Sequence, residues 1–203
     1  MTPRPFRFGV IAHHAESRED WRARARKIEQ LGYAVFSVPD HLGKQLAPVP
    51  AIIAAAEATS KLRMGSYVFA NDFRHPVMLA KEAATLDLLS GGRFECGIGS
   101  GYLRAEYEQC GLPYDPPPTR VRRLDEALQI IKGLFAEEPV TFSGTYYSVN
   151  ALEGFPKPVQ KPSLPLLIGG AGKQMLSLAA REATIVSIAA RRYRTAVAWM
   201  SPI

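Results

Sequence analysis

Residues that could do chemistry recur at the ends of apolar runs along this sequence. They fall into five groups: His13 and His14, Asp40 and His41, Asn71 and Asp72, Ser100 and Gly101, and the run from Gly169 to Gly172. In a sheet of parallel strands such points share the carboxyl edge, where barrel enzymes keep their active sites. Turns and helix caps favour the same residue types, so the recurrence is more informative than any single group.

The pair Asp40–His41 has the clearest chemical character of the five groups. It follows the apolar run at residues 34–38, with Pro39 between them. An adjacent carboxylate and imidazole in a cleft can hold a ring by hydrogen bonds and can move a proton near neutral pH. An aspartate in a turn followed by an exposed histidine would give the same pair of residues. The pair is therefore a candidate for ring binding and proton transfer.

Two glycine-rich strings are candidates for close contact with a ligand. Gly97-Ile-Gly-Ser-Gly101 would let the backbone approach a bound group, because glycine carries no side chain. Gly169-Gly-Ala-Gly172 could present backbone N–H groups to a phosphate, although a tight strand-to-helix turn explains it equally well. The first strand ends in Ala12-His13-His14 without glycine, which argues against a dinucleotide-binding fingerprint.

The elements that would position these residues alternate between short apolar runs and longer stretches of helical period. The predicted strands are residues 6–12, 34–38, 62–69, 94–99, 164–168 and 184–189, with a short hairpin at 142–149. This alternation predicts an α/β fold with a parallel sheet covered by helices. An open doubly wound sheet and a (β/α)₈ TIM barrel both fit. Because a closed barrel has eight such units, about six strands predict an incomplete barrel.

Composition argues against several classes of partner. The net charge is +6, from 25 Lys and Arg against 19 Asp and Glu. We find no nucleic-acid-binding motif, so we expect no nucleic-acid partner. No stretch approaches the roughly 18 apolar residues of a membrane span, and the start does not resemble a signal peptide, so we expect a cytoplasmic protein without a membrane partner. Cys96 and Cys110 lack the paired spacing of a zinc site, and we expect no metal.

Eleven strings together resemble the luciferase-like monooxygenase superfamily, and particularly its deazaflavin-dependent branch, which uses coenzyme F420. They include Leu31-Gly-Tyr33, Pro39-Asp-His-Leu42, Phe73-Arg-His-Pro76, Gly97-Ile-Gly-Ser-Gly101, Glu106-Tyr-Glu108 and Pro165-Leu-Leu-Ile-Gly-Gly170. The strings follow the family's order over about residues 6–190, and we assign residues 1–190 to a partial barrel domain. The resemblance implies a two-electron oxidoreductase that docks an isoalloxazine-type ring at the carboxyl face of the barrel.

The resemblance also implies roles for residues after the second strand and within the third. Asp40 and His41 match the family's ring-side pair, with His41 as the catalytic proton donor or acceptor beside the substrate. Tyr67 and Val68 match a bulge that props the ring from behind and often contains a non-proline cis peptide bond. These positions are therefore expected to contact the cofactor.

Residues after the fourth and fifth strands complete the implied cofactor site. Ser100, Gly101 and Tyr102 match the loop that lines the ring and its ribityl chain, and Gly169 and Gly170 match a backbone grip on the cofactor phosphate. In the sugar-phosphate dehydrogenase branch a catalytic glutamate follows the glycine run. This chain has Tyr102 there, which argues against that acid role and that substrate.

We therefore expect an F420-dependent oxidoreductase that transfers a hydride between the deazaflavin and a small organic substrate. An FMN-dependent monooxygenase on the same scaffold is the alternative. The family continues for about two more strand–helix units, and we expect residues 191–203 to be an atypical C-terminal end from a frameshift or misplaced stop. Such a chain would have exposed sheet edges, so a non-catalytic remnant is the second alternative. A homodimer could cover those edges.

Overall fold

The computed structural model describes residues 6–188, so the expected atypical segment 191–203 lies outside the described residues. The strands are β1 (Gly9–Ile11), β2 (Val35–Val38), β3 (Arg63–Ser66), β4 (Phe69–Ala70), β5 (Phe94–Gly99), β6 (Val140–Ser143), β7 (Ser148–Leu152), β8 (Leu166–Gly169) and β9 (Ile185–Ser187). The helices are α1 (Arg18–Gln30), α2 (Pro48–Glu57), α3 (Pro76–Leu89), α4 (Arg104–Cys110), α5 (Pro117–Phe135) and α6 (Lys173–Glu182), with a 3₁₀ turn at Asn71–Phe73.

The main sheet is parallel and runs in chain order, β1-β2-β3-β5-β8-β9, with β4 also paired to β5. Val35 lies opposite both Gly9 and Arg63, and Cys96 lies opposite Leu166. Within residues 6–188 the strand order does not reverse, whereas a doubly wound sheet reverses at its switch point. The doubly wound alternative is therefore wrong, and the predicted incomplete barrel is the observed architecture.

Burial in the sheet decreases from its centre to its edges. Every residue of β5 is buried, as expected for a parallel strand covered on both faces. Phe36, Met64 and Ile168 on the neighbouring strands are also fully buried, and helices α2, α3 and α6 contact the sheet. At one edge Ile11 is half exposed. Within residues 6–188, no helix is long and apolar enough to cross a membrane.

The third predicted strand is broken in two. The sequence predicted one strand over residues 62–69, but β3 ends before Tyr67 and β4 begins after Val68. The peptide bond between Tyr67 and Val68 is cis. β3 pairs with the first half of β5, and β4 pairs with its second half. The resemblance had implied this bulge, while the hydrophobic pattern alone gave no sign of it. The predicted hairpin is confirmed as β6 and β7, a separate antiparallel ladder.

The start of α1 follows from its sequence. The Ser17 hydroxyl accepts a hydrogen bond from the Asp20 amide at 3.1 Å, the arrangement that a helix N-cap requires. One turn on, the Trp21 ring packs 5.0 Å from that of Phe36 on β2 and its Nε1 donates to the carbonyl of Ala51 at 2.8 Å. The helix is thereby tied to both the sheet and α2.

A carboxylate near the end of α1 fixes the turn that leads into β3. Glu29 Oε1 accepts hydrogen bonds from the amides of Ser60, Lys61 and Leu62 at 2.9, 2.6 and 2.9 Å. Partial burial acts to raise the pKa of Glu29, but the three amides and the charge of Arg93 outweigh it and lower the pKa. A carboxyl group with a lowered folded-state pKa stabilises the fold above its unfolded pKa, and this contribution is lost as the pH falls.

We expect Glu29→Gln to lower the free energy of unfolding at pH 7 by about 1 kcal/mol, since the amides lose a charged acceptor. The difference from wild type should shrink as the pH falls through the folded-state pKa of Glu29. Urea unfolding across this range measures it, with the exposed Glu57→Gln as the control. A difference that stays constant with pH would contradict the assignment.

Candidate active site

A cavity of about 650 Å³ opens at the carboxyl edge of the sheet. Its wall combines the ends of β1, β2, β5 and β8 with the broken third strand and the start of α5. It brings together all nine residues that the sequence analysis assigned to the site, namely Asp40, His41, Tyr67, Val68, Ser100, Gly101, Tyr102, Gly169 and Gly170. The rule that parallel strands share one carboxyl edge accounts for this gathering.

Two of the five polar groups do not line this cavity. His13 and His14 lie to one side, where His14 Nε2 contacts Glu16 Oε1 at 2.9 Å on the surface. Asn71 and Asp72 instead line a second cavity of about 370 Å³. Residues beyond a strand end can point toward or away from the barrel axis, and the sequence did not distinguish the two directions.

His41 is held by a carboxylate from α4. Its Nδ1 lies 3.1 Å from both carboxylate oxygens of Glu106, and Glu106 Oε1 also accepts from the Leu42 amide at 2.9 Å. An ionised carboxylate only accepts hydrogen bonds, so we assign the ring proton to Nδ1. Nε2 then becomes the acceptor and faces the Tyr102 hydroxyl at 3.3 Å.

Glu106 is a candidate site residue to which the sequence analysis gave no role, and it lines the cavity beside His41. Its side chain is buried, with 9% of its surface exposed, on a helix that follows the glycine run. The string Glu106-Tyr-Glu108 contributed to the family resemblance, which was the available signal. Its contact with His41 spans 65 positions along the chain, so local spacing could not predict it.

Asp40 is fully engaged within the cavity wall. Its Oδ2 accepts from the Ala70 amide at 2.9 Å, and Arg74 grips both carboxylate oxygens at 2.6 and 3.1 Å. The Arg74 guanidinium also lies 4.7 Å above the ring of Phe69. A bidentate pair of this kind fixes geometry as well as charge. It ties the end of β2 to the residues around β4.

The Val68 side chain occupies space that three glycines leave open. An added Cβ would lie 3.1 Å from Val68 at Gly97 and at Gly169, and 2.9 Å from it at Gly99. At Gly97 it would also overlap the carbonyl oxygen of Ser66. The glycine pattern on β5 is therefore required by packing against the bulge. Gly97 faces Ser66 and Val68, whereas Gly99 and Gly101 of the same run line the cavity.

We expect Gly97→Ala to destabilise the cofactor-free chain by about 1–3 kcal/mol, the usual range for overpacking. Thermal and urea unfolding measure the change. Gly43→Ala is the control, because its added Cβ would meet nothing within 4 Å. Unchanged stability for Gly97→Ala would show that the strands can separate to admit a methyl group.

The loop at Gly101 rests on a buried tyrosine. Gly101 has a φ of +73°, and a Cβ there would overlap the hydroxyl of Tyr107. That hydroxyl donates to Asp72 Oδ2 at 3.0 Å, and Arg123 holds the same oxygen at 2.7 Å. Burial and the Asp72 carboxylate raise the pKa of Tyr107, so its phenol stays neutral. Asp72 thus holds Tyr107, the residue against which the Gly101 loop packs.

The glycine run after β8 offers fewer free amides than expected. The Gly170 amide donates to the Ser187 carbonyl at 3.1 Å, and the Ser187 hydroxyl meets the Tyr67 hydroxyl at 2.5 Å. Amides of the first turn of α6 lie just beyond Gly172, which has a φ of +87°. Across the described chain, no group of three or more His, Cys, Asp or Glu residues could hold a metal ion.

A known protein family matches most of this chain. The model of the family described as luciferase-like monooxygenase matches residues 4–201. The chain belongs to this family. Within it, the F420-dependent glucose-6-phosphate dehydrogenase of Microbacterium testaceum (strain StLB037) is 35% identical over 161 residues, which cover 75% of this chain and 47% of that protein.

Another relative is named for a different cofactor, FMNH(2). The FMNH(2)-dependent dimethylsulfone monooxygenase of Pseudomonas putida is 28% identical over 184 residues, covering 85% of this chain and 50% of the relative. The luciferase-like chain thus spans about half the length of these curated relatives. Relatives of both cofactor classes therefore match the same region.

Solved structures share the fold. The coenzyme F420-dependent tetrahydromethanopterin reductase from Methanopyrus kandleri superimposes with a TM-score of 0.81 at 24% identity, over 90% of this chain and 55% of that chain. An F420-dependent secondary alcohol dehydrogenase in complex with an F420-acetone adduct gives 0.81 at 23% identity, over 90% and 57%. At these identities the likeness establishes the barrel fold alone.

Proposed function

We propose that this luciferase-like chain belongs to a two-electron oxidoreductase that binds coenzyme F420 and acts on a small organic substrate. The observation that carries the proposal is the single cavity that gathers the His41–Glu106 pair with the broken strand and both glycine loops. A position at the carboxyl edge of a parallel barrel is where barrel enzymes hold reacting groups.

The volume and lining of the cavity support the binding of a ring system. Its volume of about 650 Å³ falls in the range of ordinary ligand sites, and most of its wall is apolar side chain or bare backbone. Val68 and Tyr67 would support the ring, and Ser100 to Tyr102 would line its edge. Gly169, Gly170 and the start of α6 would face the phosphate end. When bound, the deazaflavin supplies a carbon that accepts or donates a hydride.

The His41–Glu106 pair suits proton transfer at the substrate. Oxidation by two electrons removes one hydride from carbon and one proton from the attached oxygen. His41 Nε2 can take that proton, because Nδ1 already carries the hydrogen that Glu106 accepts. The buried carboxylate would stabilise the imidazolium that forms, and it fixes the ring against rotation.

Support for F420 over FMN comes from one comparison between two relatives. The relative that is 35% identical is F420-dependent, whereas the FMNH(2)-dependent relative is 28% identical. The alternative function, an FMN-dependent monooxygenase on the same scaffold, rests on that second relative. A cytoplasmic location, a small-molecule substrate and a homodimer stay predictions.

We expect the purified chain to bind F420 at least about tenfold more tightly than FMN, a difference of about 1.4 kcal/mol. Calorimetric titration with each cofactor, together with the visible absorbance of the bound ring, measures this preference. Tighter binding of FMN would favour the monooxygenase alternative. A cooperative melt without binding of either cofactor would favour the non-catalytic alternative.

We expect His41→Ala to slow the single-turnover reaction of bound F420 by about 10² to 10⁴-fold, the usual loss for a general acid or base. The Kd for the cofactor should change far less. Bleaching of the deazaflavin band with a panel of small alcohols measures the rate, and the surface variant His14→Ala is the control. A loss of cofactor affinity of that size, with an unchanged rate, would mean that His41 only positions the ring.

A further inference from the structure

The second cavity, of about 370 Å³, lies beside the proposed active site. Its wall is built by the segment between β4 and α3, the turn after α4, helix α5 and the turn of the β6–β7 hairpin. Phe73 is the one described residue that lines both cavities. The volume falls within the range of small-molecule sites, so the second cavity has room for a compound of its own.

Aromatic rings form a large part of the wall of the second cavity. Phe73, His75, Tyr146 and Tyr147 all line it. The rings of His75 and Tyr147 lie 5.4 Å apart and are nearly perpendicular, at 84°. Because aromatic rings pack favourably edge to face or offset against one another, this wall favours a ligand that contains an aromatic ring.

The charged side chains in the wall are already paired. Asp72 accepts a hydrogen bond from Arg123 at 2.7 Å, and Arg74 binds Asp40 at 2.6 Å. A charged ligand would compete with these ion pairs or would be buried without a partner, and burial of an unpaired charge is unfavourable. The electrostatics of the second cavity therefore favour an uncharged ligand.

A buried amide supplies a polar anchor in the wall. Asn71 is 1% exposed, and its Nδ2 donates to Asp72 Oδ1 and to the Tyr147 hydroxyl oxygen, both at 3.2 Å. An ionised carboxylate only accepts, so we assign the amide nitrogen to this side and Oδ1 remains an acceptor. Burial raises the pKa of Tyr147, so its hydroxyl keeps a hydrogen to donate. A ligand hydroxyl group could donate to the first residue and accept from the second.

The hairpin turn that carries the two tyrosines is fixed to α5. The Glu126 carboxylate accepts hydrogen bonds from the amides of Thr145, Tyr146 and Tyr147, at 2.8, 2.9 and 3.2 Å. Hydrogen bonds to a charged acceptor are stronger than neutral ones. Rings that are held in place lose little conformational freedom when a ligand binds, which favours affinity.

We propose that the second cavity is a binding site for a small, uncharged phenol. The ring of the phenol packs against the aromatic wall, and its hydroxyl group donates to Asn71 Oδ1 and accepts from Tyr147. This inference does not rest on the proposed function, because neither a flavin nor a deazaflavin takes part in it. It can be tested on the cofactor-free chain.

The first test uses the four histidines of the chain as reporters of position. His75 lines the second cavity and His41 lines the active-site cavity, whereas His13 and His14 line neither. The ring ¹³C–¹H signals are followed by NMR while phenol is added at constant pH, and His75→Gln assigns the reporter signal. We expect a saturable shift of the His75 signal, with a Kd of about 1 mM and unmoved His13 and His14 signals.

Two results of this titration would overturn the proposal. One is a His75 signal that stays in place at saturating phenol concentrations for the expected Kd. The other is a shift that grows linearly without saturation and appears equally at His13 and His14, since that pattern indicates weak contact over the whole surface.

A second test compares ligands on the wild-type chain. Anisole has the ring but no hydroxyl hydrogen, and cyclohexanol has the hydroxyl group but no aromatic ring. We expect both to bind about three- to tenfold more weakly than phenol, the usual effect of one lost neutral hydrogen bond. Anisole binding as tightly as phenol would contradict the hydrogen bond to Asn71. Cyclohexanol binding as tightly would contradict the role of the aromatic wall.

A third test removes one hydroxyl group from the protein. Tyr147→Phe keeps the ring and should weaken phenol about three- to tenfold, while toluene, which has no hydroxyl group, should bind as in wild type. Tyr33→Phe is the matched control, because Tyr33 lines neither cavity. Unchanged phenol binding in Tyr147→Phe would overturn the assigned contact. A thermal melt shows whether the variant folds, and if it does not, the ligand comparison on the wild-type chain decides.

Discussion

Packing of the Val68 side chain against glycines on β5 and β8 is the contact on which the cavity depends. The third strand stops pairing at Ser66 and resumes at Phe69, and the two intervening residues turn into the cavity. This displacement is possible because Gly99 and Gly169 leave a groove for the valine. The floor of the site is thus built by one strand leaving the sheet and its neighbours making room.

Hydrogen-bonded carboxylates then join the segments that surround this floor. Asp40 after β2 holds Arg74 beyond β4, and Glu106 on α4 holds the histidine after β2. Asp72 receives Arg123 from α5. Each contact joins two different segments of the rim through a buried carboxylate. Such supports hold site residues in place before a ligand arrives.

The sequence predicted the sheet well because its signals are local. Strand-length apolar runs gave the six main strands, and their shared direction brought nine candidate residues to one cavity. Contacts that span long stretches of chain were not predictable in this way. The partner of His41 and the packing role of Gly97 depend on which elements become neighbours in the fold. The local sequence pattern does not indicate either contact.

The unbroken strand order gives the barrel a modular character. Every strand of the main sheet after β1 pairs with the main-sheet strand that precedes it in the chain. A strand–helix unit joined at the β9 edge therefore leaves the registers of the earlier strands as they are. Residues that line the cavity can persist on the early units while later units are exchanged. Recombination between relatives could then change the substrate without changing the residues that line the cavity.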